Sequence, residues 1–252
     1  MNIRNLNTGM HHRTDVEPPR GGVRLLRDAF LKGTLENIDR DRSLFSASGT
    51  DGSAFLIRKG IAQRSFSLRN GPPVILDLLI PGDIAGLEGL LPQHRYQTIV
   101  STGNLSGYRL AADIMKELMT DPAIDRTVLQ TIMEAAARMV RLNIALGRLD
   151  ARERIASMVL DLYDRLRQRR LIRRTSFDLP LTQDEIGNHL GLTLEHVNRT
   201  LRRMREDHLL ILDRGAVVLL DIRRLREMVQ RWLPPLRAER QAGPSRELAA
   251  AN

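Results

Sequence analysis

No cysteine occurs anywhere in the 252 residues, and that absence removes several chemistries at once. Disulfides, thiolate zinc sites, cysteine nucleophiles and cysteine-held iron–sulfur clusters are all excluded. Lysine is scarce too: Lys32, Lys59 and Lys116 are the only three, so the positive charge is almost all arginine. No apolar run approaches a membrane span, and the N-terminus lacks a signal-peptide core, which predicts a soluble cytoplasmic chain with no membrane partner. H-E-x-x-H, a serine elbow and a Gly-rich phosphate loop are missing, and the glycines cluster at predicted turns. An enzyme is not expected. What the chain has in excess is positive charge, a formal net +9 with a pI near 10.9. Such a balance points to a polyanionic partner, nucleic acid before membrane.

The stretch LTQDEIGNHLGLTLEHVNRTLRRMRED (181–207) gives that partner a reading element. Thr182 and Glu185 are spaced as a capping box, and Ile186 and Leu190 form a short apolar stripe behind it. Gly191 supplies a turn, and Thr193 is placed to cap a second helix. That helix buries Val197, Leu201 and Met204, while Leu194, Glu195, Asn198, Arg199, Arg202 and Arg203 remain for the other face. Glu, Asn and Arg are side chains that read base edges, and further arginines grip phosphate. An amphipathic helix with a solvated, i,i+4 ion-paired face is the alternative for Glu195 and Arg199. The following segment, HLLILDRGAVVLLD, places Arg214 at the tip of a Gly-containing hairpin, with Ser176–Leu179 as a strand to pair with it. Helix, helix, hairpin in that order is a winged helix. Base reading is thus expected from Leu194, Glu195, Asn198 and Arg199, and backbone contact from Thr182, Thr193, Arg202, Arg203 and Arg214.

Upstream the pattern changes twice. Residues 1–23 read as a flexible arm, and 24–40 as an amphipathic helical lead-in. Short alternating runs at 54–58, 61–68, 74–80, 97–101 and 106–110 predict a small antiparallel sandwich or barrel, in a sensor domain spanning 24–112. From 113 to 149 a long helix is expected. Val128, Ile132, Ala135, Met139, Leu142, Leu146 and Leu149 alternate by four and three, a heptad seam that predicts a parallel homodimer. A second stripe, Met133, Ala136 and Val140, is left for contact with the chain's own barrel. Asp150 and Glu153 form another capping box, so a new helix starts there and Asp150 becomes the hinge into a DNA-binding domain at 150–233. Residues 234–252 read as a disordered tail.

Barrel, long helix, hinge Asp and winged helix, in that order, resemble the Crp/Fnr family of bacterial transcription regulators. VILDLLIPGDIAGLEGLL (74–91) is similar to the family's barrel signature, and GLTLEHVNRTLRRMRE (191–206) to its recognition helix. The resemblance covers about residues 24–228 and implies an α+β fold. Its parts are an N-terminal antiparallel β-roll (a double-stranded β-helix, cyclic-nucleotide-binding-like), a long dimerisation helix and a C-terminal winged helix-turn-helix. It implies a homodimer on palindromic double-stranded DNA, working with RNA polymerase. The family's Glu-x-x-x-Arg base-reading pair is matched by Glu195 and Arg199. Fnr- and FixK-like members carry Ser where Asn198 stands, and Crp-like members carry Arg where Leu194 stands. The first departure leaves one base of the half-site open, the second argues against a Crp-type half-site, and a TTG…CAA-like inverted repeat is the expected target.

The resemblance leaves the signal open. Crp-like members hold a cyclic nucleotide through a Gly-Glu pair and an Arg-Ser pair. Here the possible effector residues are Gly86, Glu88 and Arg95, with an extra residue between Gly and Glu and Tyr96 after the arginine. Haem would need an axial histidine, for which His94, His11 and His12 are the candidates. FixK-like control with no small ligand is the third reading. A barrel module that docks on another protein is the rival to DNA binding, but it has no need of a base-reading helix face.

Overall fold

The computed structural model describes residues 21–45, 52–90 and 97–232. Helix α1 (Gly21–Leu31) leads into two antiparallel sheets. The first has the order β1 (Thr34–Ile38), β7 (Leu105–Leu110), β2 (Ala54–Lys59), β5 (Ile84–Ala85), and the second β4 (Val74–Leu79), β3 (Ala62–Phe66), β6 (Gln97–Ser101). Both follow from short β-rich runs punctuated by turn residues. Leu44, Phe55, Ile57, Leu79, Ile99 and Leu105 fill the space between them. The tight turn between β4 and β5 is Pro81-Gly82-Asp83. Gly82 takes φ +90°, where a side chain would be strained. Asp83 closes the turn by accepting from the Ile80 amide at 2.8 Å.

The expected lead-in helix over 24–40 is corrected. α1 covers 21–31, and β1 pairs with β7 as an edge strand from Thr34. Gly33 explains the break: a Cβ there would lie 2.3 Å from the Arg109 carbonyl oxygen, so only glycine lets the chain turn so close to β7. Glu36 then receives Arg109 in a bidentate pair at 2.7 and 2.8 Å across the two strands. Residues 1–20 and 233–252, with most of the expected arm and the whole expected tail, lie outside the described residues.

The long helix expected over 113–149 is corrected to two, α2 (Ala112–Leu118) and α3 (Pro122–Arg148), divided where Asp121 starts a new helix. Asp121 caps α3, accepting from Ala123 N at 2.7 Å, and Pro122 stands where an amide would go unpaired. Leu149 leaves α3 in extended geometry, and Asp150 with Glu153 makes a reciprocal capping box for α4 (Ala151–Gln168). The rest is β8 (Ser176–Asp178), α5 (Gln183–Leu190), α6 (Leu194–Glu206), β9 (Leu210–Asp213), β10 (Ala216–Leu219) and α7 (Ile222–Gln230). β8, β10 and β9 form the winged sheet. Its core, with Val159, Leu162, Phe177, Ile186, Val197 and Leu210, is continuous with Ile75, Leu78 and Ile80 on the roll's side.

Within the chain, the burial of the two α3 stripes differs from what was expected of them. Val128 is 1% exposed, packed with Leu26, Phe30 and Met115, and Leu149 is buried with α4. Ala135, Met139, Leu142 and Leu146 are half-covered by the same chain, and only Ile132 of the expected seam is exposed. Met133 and Val140, assigned to the internal contact, are instead 60% and 58% exposed, with Leu129 and Ala136 on the same side. Both stripes have the same period, so periodicity marks a helix without saying which side its own barrel takes.

Candidate nucleic-acid interface

The reading helix is built from its ends inward. Thr182 caps α5, with Glu185 returning to the Thr182 amide at 2.6 Å. Gly191 ends α5 in the left-handed conformation at φ 62°, and the Thr193 hydroxyl accepts from His196 N at 3.2 Å to start α6. Gly187 is the residue that spacing did not single out. A Cβ there would lie 2.5 Å from the Leu192 carbonyl oxygen, so the two helices can cross this tightly only over glycine.

α6 buries Val197, Thr200, Leu201 and Met204, which leaves the opposite face to solvent. Leu194, Glu195, Asn198, Arg199, Arg202 and Arg203 are all exposed there, Glu195 to 86% of its side chain. Arg199 and Glu195 stand 3.7 Å apart, a loose surface pair worth little by itself and readily exchanged for base contacts. At the wing, Asp213 pairs with Ala216, which makes Arg214-Gly215 a two-residue loop. Both take positive φ, 48° and 78°, as a type I′ turn requires, and Arg214 is exposed at its tip. Thr182 is placed differently from expectation: its hydroxyl donates to Glu185 at 2.9 Å and its amide is bonded to the same carboxylate. Both groups are committed to the cap, so Thr182 is withdrawn as a phosphate ligand.

In the roll, Gly86 takes φ +89°, and a Cβ on it would lie 2.5 Å from the Phe45 ring. The interior beside the Gly-Leu-Glu segment is therefore filled by Phe45 and Phe55, with the Arg109 guanidinium 5.4 Å from each ring centre. The side chain of Glu88, and Arg95, His94, His11 and His12 altogether, lie outside the described residues. Among the described residues no group of three or more His, Asp or Glu is arranged to hold a metal, and no helix is long and apolar enough to cross a membrane. A cleft of about 880 Å³ opens between the roll, α1 and α3, with Arg58, Arg64, Leu79 and the 81–83 turn lining its roll side.

Sequence reasoning also missed a set of buried ion pairs, one tying the roll to α3 and others joining the roll to the helix-turn-helix half. Asp77 on β4 takes Arg138 of α3 at 2.7 and 3.1 Å. Asp83 takes Arg165 and, at 2.6 Å, Arg169 at the end of α4. Burial alone would push the Asp83 carboxyl up, but Arg165, Arg169 and Arg138 outweigh it and hold that carboxyl well below the usual carboxylate range. Arg165 is likewise held more firmly charged, Asp83 and Asp161 outweighing its burial. His189 of α5 is buried with Nδ1 3.0 Å from the Ile75 carbonyl oxygen, and burial keeps its imidazole below the ordinary value despite that bond and nearby Asp77 and Asp161. The available signal was a single aspartate inside the apolar run VILDLL.

The family described as Crp-like helix-turn-helix domain matches residues 153–228. Over 239 residues, 90% of this chain and 95% of the relative, the sequence is 28% identical to the transcriptional activator protein FnrL of Cereibacter sphaeroides. It is 27% identical to the transcriptional activator protein FnrA of Stutzerimonas stutzeri, over 73% of this chain and 75% of that one. In fold it is similar to FixK2 from Bradyrhizobium japonicum, with a TM-score of 0.68 at 22% identity over 78% of this chain and 97% of that one. A CooA mutant from Carboxydothermus hydrogenoformans shares the fold at a TM-score of 0.62 and 16% identity, over 83% and 96%. Its cyclic-nucleotide-binding-like β domain, long helix and C-terminal helix-turn-helix are arranged as in the Crp/Fnr fold, and along most of its length the chain is similar to DNA-binding transcription regulators of that kind.

Proposed function

We propose that the protein acts as a homodimer on a palindromic promoter site, with one α6 in each of two successive major grooves. The observation that carries this reading is the α6 face, where Glu195, Asn198 and Arg199 are exposed together over a fully buried opposite side. A guanidinium fork fits guanine O6 and N7, and a carboxylate accepts from cytosine N4, so Arg199 and Glu195 can read one G·C step from both strands. Asn198 and Leu194 contact neighbouring base positions. Thr193, Arg202, Arg203 and Arg214 hold the backbone, which fixes register without reading sequence. The half-site is TTG-like, and the two halves lie one helical turn apart.

The dimer forms along Leu129, Met133, Ala136 and Val140, the exposed stripe of α3. These side chains step by four, three and four, as a two-stranded seam requires, and Ala136 permits close approach. Units at 24–112, 113–149 and 150–233 serve as sensor, dimer segment (with α3 as its helix) and DNA-binding domain. The protein works in the cytoplasm, engages RNA polymerase and carries no enzyme activity. In vitro selection of bound duplexes tests the proposal. The wild type should return an inverted repeat, and Arg199→Ala should lose preference at one symmetric position; an unchanged consensus would end the base-reading role of Arg199.

A further inference from the structure

The covalent link between the roll-and-α3 half and the DNA-reading half is the single extended step at Leu149-Asp150. One such step does not fix an orientation. We propose that the ionic clamp of Asp83 with Arg165 and Arg169 does so, braced on the roll-and-α3 side by the Asp77–Arg138 pair, making these positioning residues that set where α6 stands for palindrome reading. This rests on the DNA-binding reading above.

The clamp closes on one narrow region of the roll. Arg165, besides Asp83, donates to the Leu78 carbonyl at 3.0 Å and to Asp161 at 3.2 Å. Arg169 donates to the Pro81 carbonyl at 2.7 Å, and His189 reaches Ile75 at the start of the same strand. At the far edge Arg40 bridges the halves, donating to the Thr102 carbonyl at 2.6 Å, the Pro180 carbonyl at 3.2 Å and Glu185 at 3.2 Å. Asp77, Asp83 and Arg165 are each less than a tenth exposed.

Buried ion pairs add little net stability, because desolvation offsets most of their attraction, yet a buried charge that loses its partner is strongly disfavoured. Rotating the DNA half would strand Asp83 on one side and Arg165 on the other. The clamp therefore selects one orientation and leaves fold stability largely to the apolar core around it. In that orientation the reading face of α6 is open to solvent, so the docked arrangement presents the helix. A dimer that reads two half-sites gains from this directly, because bivalent binding is lost when geometry forbids simultaneous engagement.

The test uses Asp83→Asn in the full-length chain, with duplexes carrying the selected palindrome, one half-site, or spacers altered by one and two base pairs. The variant should keep half-site affinity, bind the palindrome about 10–100-fold more weakly and discriminate poorly between spacers. A merely structural role would lower all affinities together and leave spacer preference intact, and that result would overturn the proposal. A crosslink gives the reverse arm. A Cβ on Gly103 would lie 3.3 Å from the Pro180 Cβ, close to disulfide spacing, and no native cysteine competes. Oxidised Gly103→Cys/Pro180→Cys should bind the palindrome as the wild type does, and should restore spacer discrimination when combined with Asp83→Asn. Loss of binding on oxidation, regained on reduction, would show the docked state to be closed to DNA and end the proposal. Should Asp83→Asn fail to fold, the crosslinked wild-type clamp decides alone. A wild type that selects no duplex would remove the DNA-binding reading itself; one that selects a palindrome which Asp83→Asn reads with unaltered spacing would remove only the clamp.

Discussion

Helices α6 and α3 are both amphipathic, yet only one could be oriented from its sequence. On α6 a single apolar stripe faces a strongly polar side, and one arrangement satisfies both: Val197, Leu201 and Met204 in, Glu195 and Arg199 out. On α3 two apolar stripes run side by side with the same heptad period. Each could bury against the roll or against another chain, and both surfaces are apolar. Which one wins is decided by α1, whose Leu26 and Phe30 meet Val128 in one core. Chemical asymmetry around a helix is a local property, and the allocation of equivalent faces is a tertiary one.

The comparison is broken most severely by a charge on the inner stripe. Val128→Glu puts a carboxylate where the side chain is 1% exposed, and should cost about 3–5 kcal/mol or more, read as a large fall in the urea midpoint or as insoluble protein. Met133→Glu with Val140→Glu places paired charges on the outer stripe. It should leave each chain folded by circular dichroism, halve the mass by light scattering, and cost about 100-fold or more on the palindrome through lost bivalency. If Val128→Glu instead gave a folded monomer while the outer pair stayed dimeric, the stripe assignment would be reversed. On α6 the effect is smaller and more local. Arg199→Ala should cost about 1–3 kcal/mol at one base position, while Arg202→Ala should weaken all sequences alike and lower the salt slope by about one.

Much of this architecture was legible because it rests on short-range chemistry. The capping boxes at Asp150 and Thr182, the left-handed Gly191 and the Arg214-Gly215 hairpin each need only a few neighbouring residues. The strand at 34–38 was not legible, since it is an edge strand whose identity comes from β7, about seventy residues away, and from the room that Gly33 leaves. Nor was the clamp: Asp77 and Arg138 are 61 positions apart, and Asp83 and Arg165 are 82. At the candidate site the face of α6 was readable, whereas the commitment of Thr182 to Glu185 emerged only from atomic positions.

The subtlest difference between the two regions concerns protons at the junction where they meet. His189 ends α5 against the Ile75 carbonyl, with Asp77 of β4 and Asp161 of α4 facing it. Arg138, Arg141 and Arg154 line the same small cavity of about 50 Å³. Burial holds the imidazole below its ordinary value near 6.5, so the folded state keeps it neutral where the unfolded chain would bind a proton. The unfolded state then holds more protons as pH falls below 6.5, so stability is complete above that point and declines below it, down to the depressed folded value. The Asp83 carboxyl is held low as well, but its contribution is lost only as pH falls below the ordinary aspartate value of 3.8, well clear of this window. Urea midpoints measured from pH 7.5 to 5.0 should therefore fall for the wild type and fall less for His189→Asn, whose amide can still donate to Ile75. Equal slopes for the two proteins would place the titrating group elsewhere, and would mean that the neighbouring carboxylates accept the imidazolium without loss.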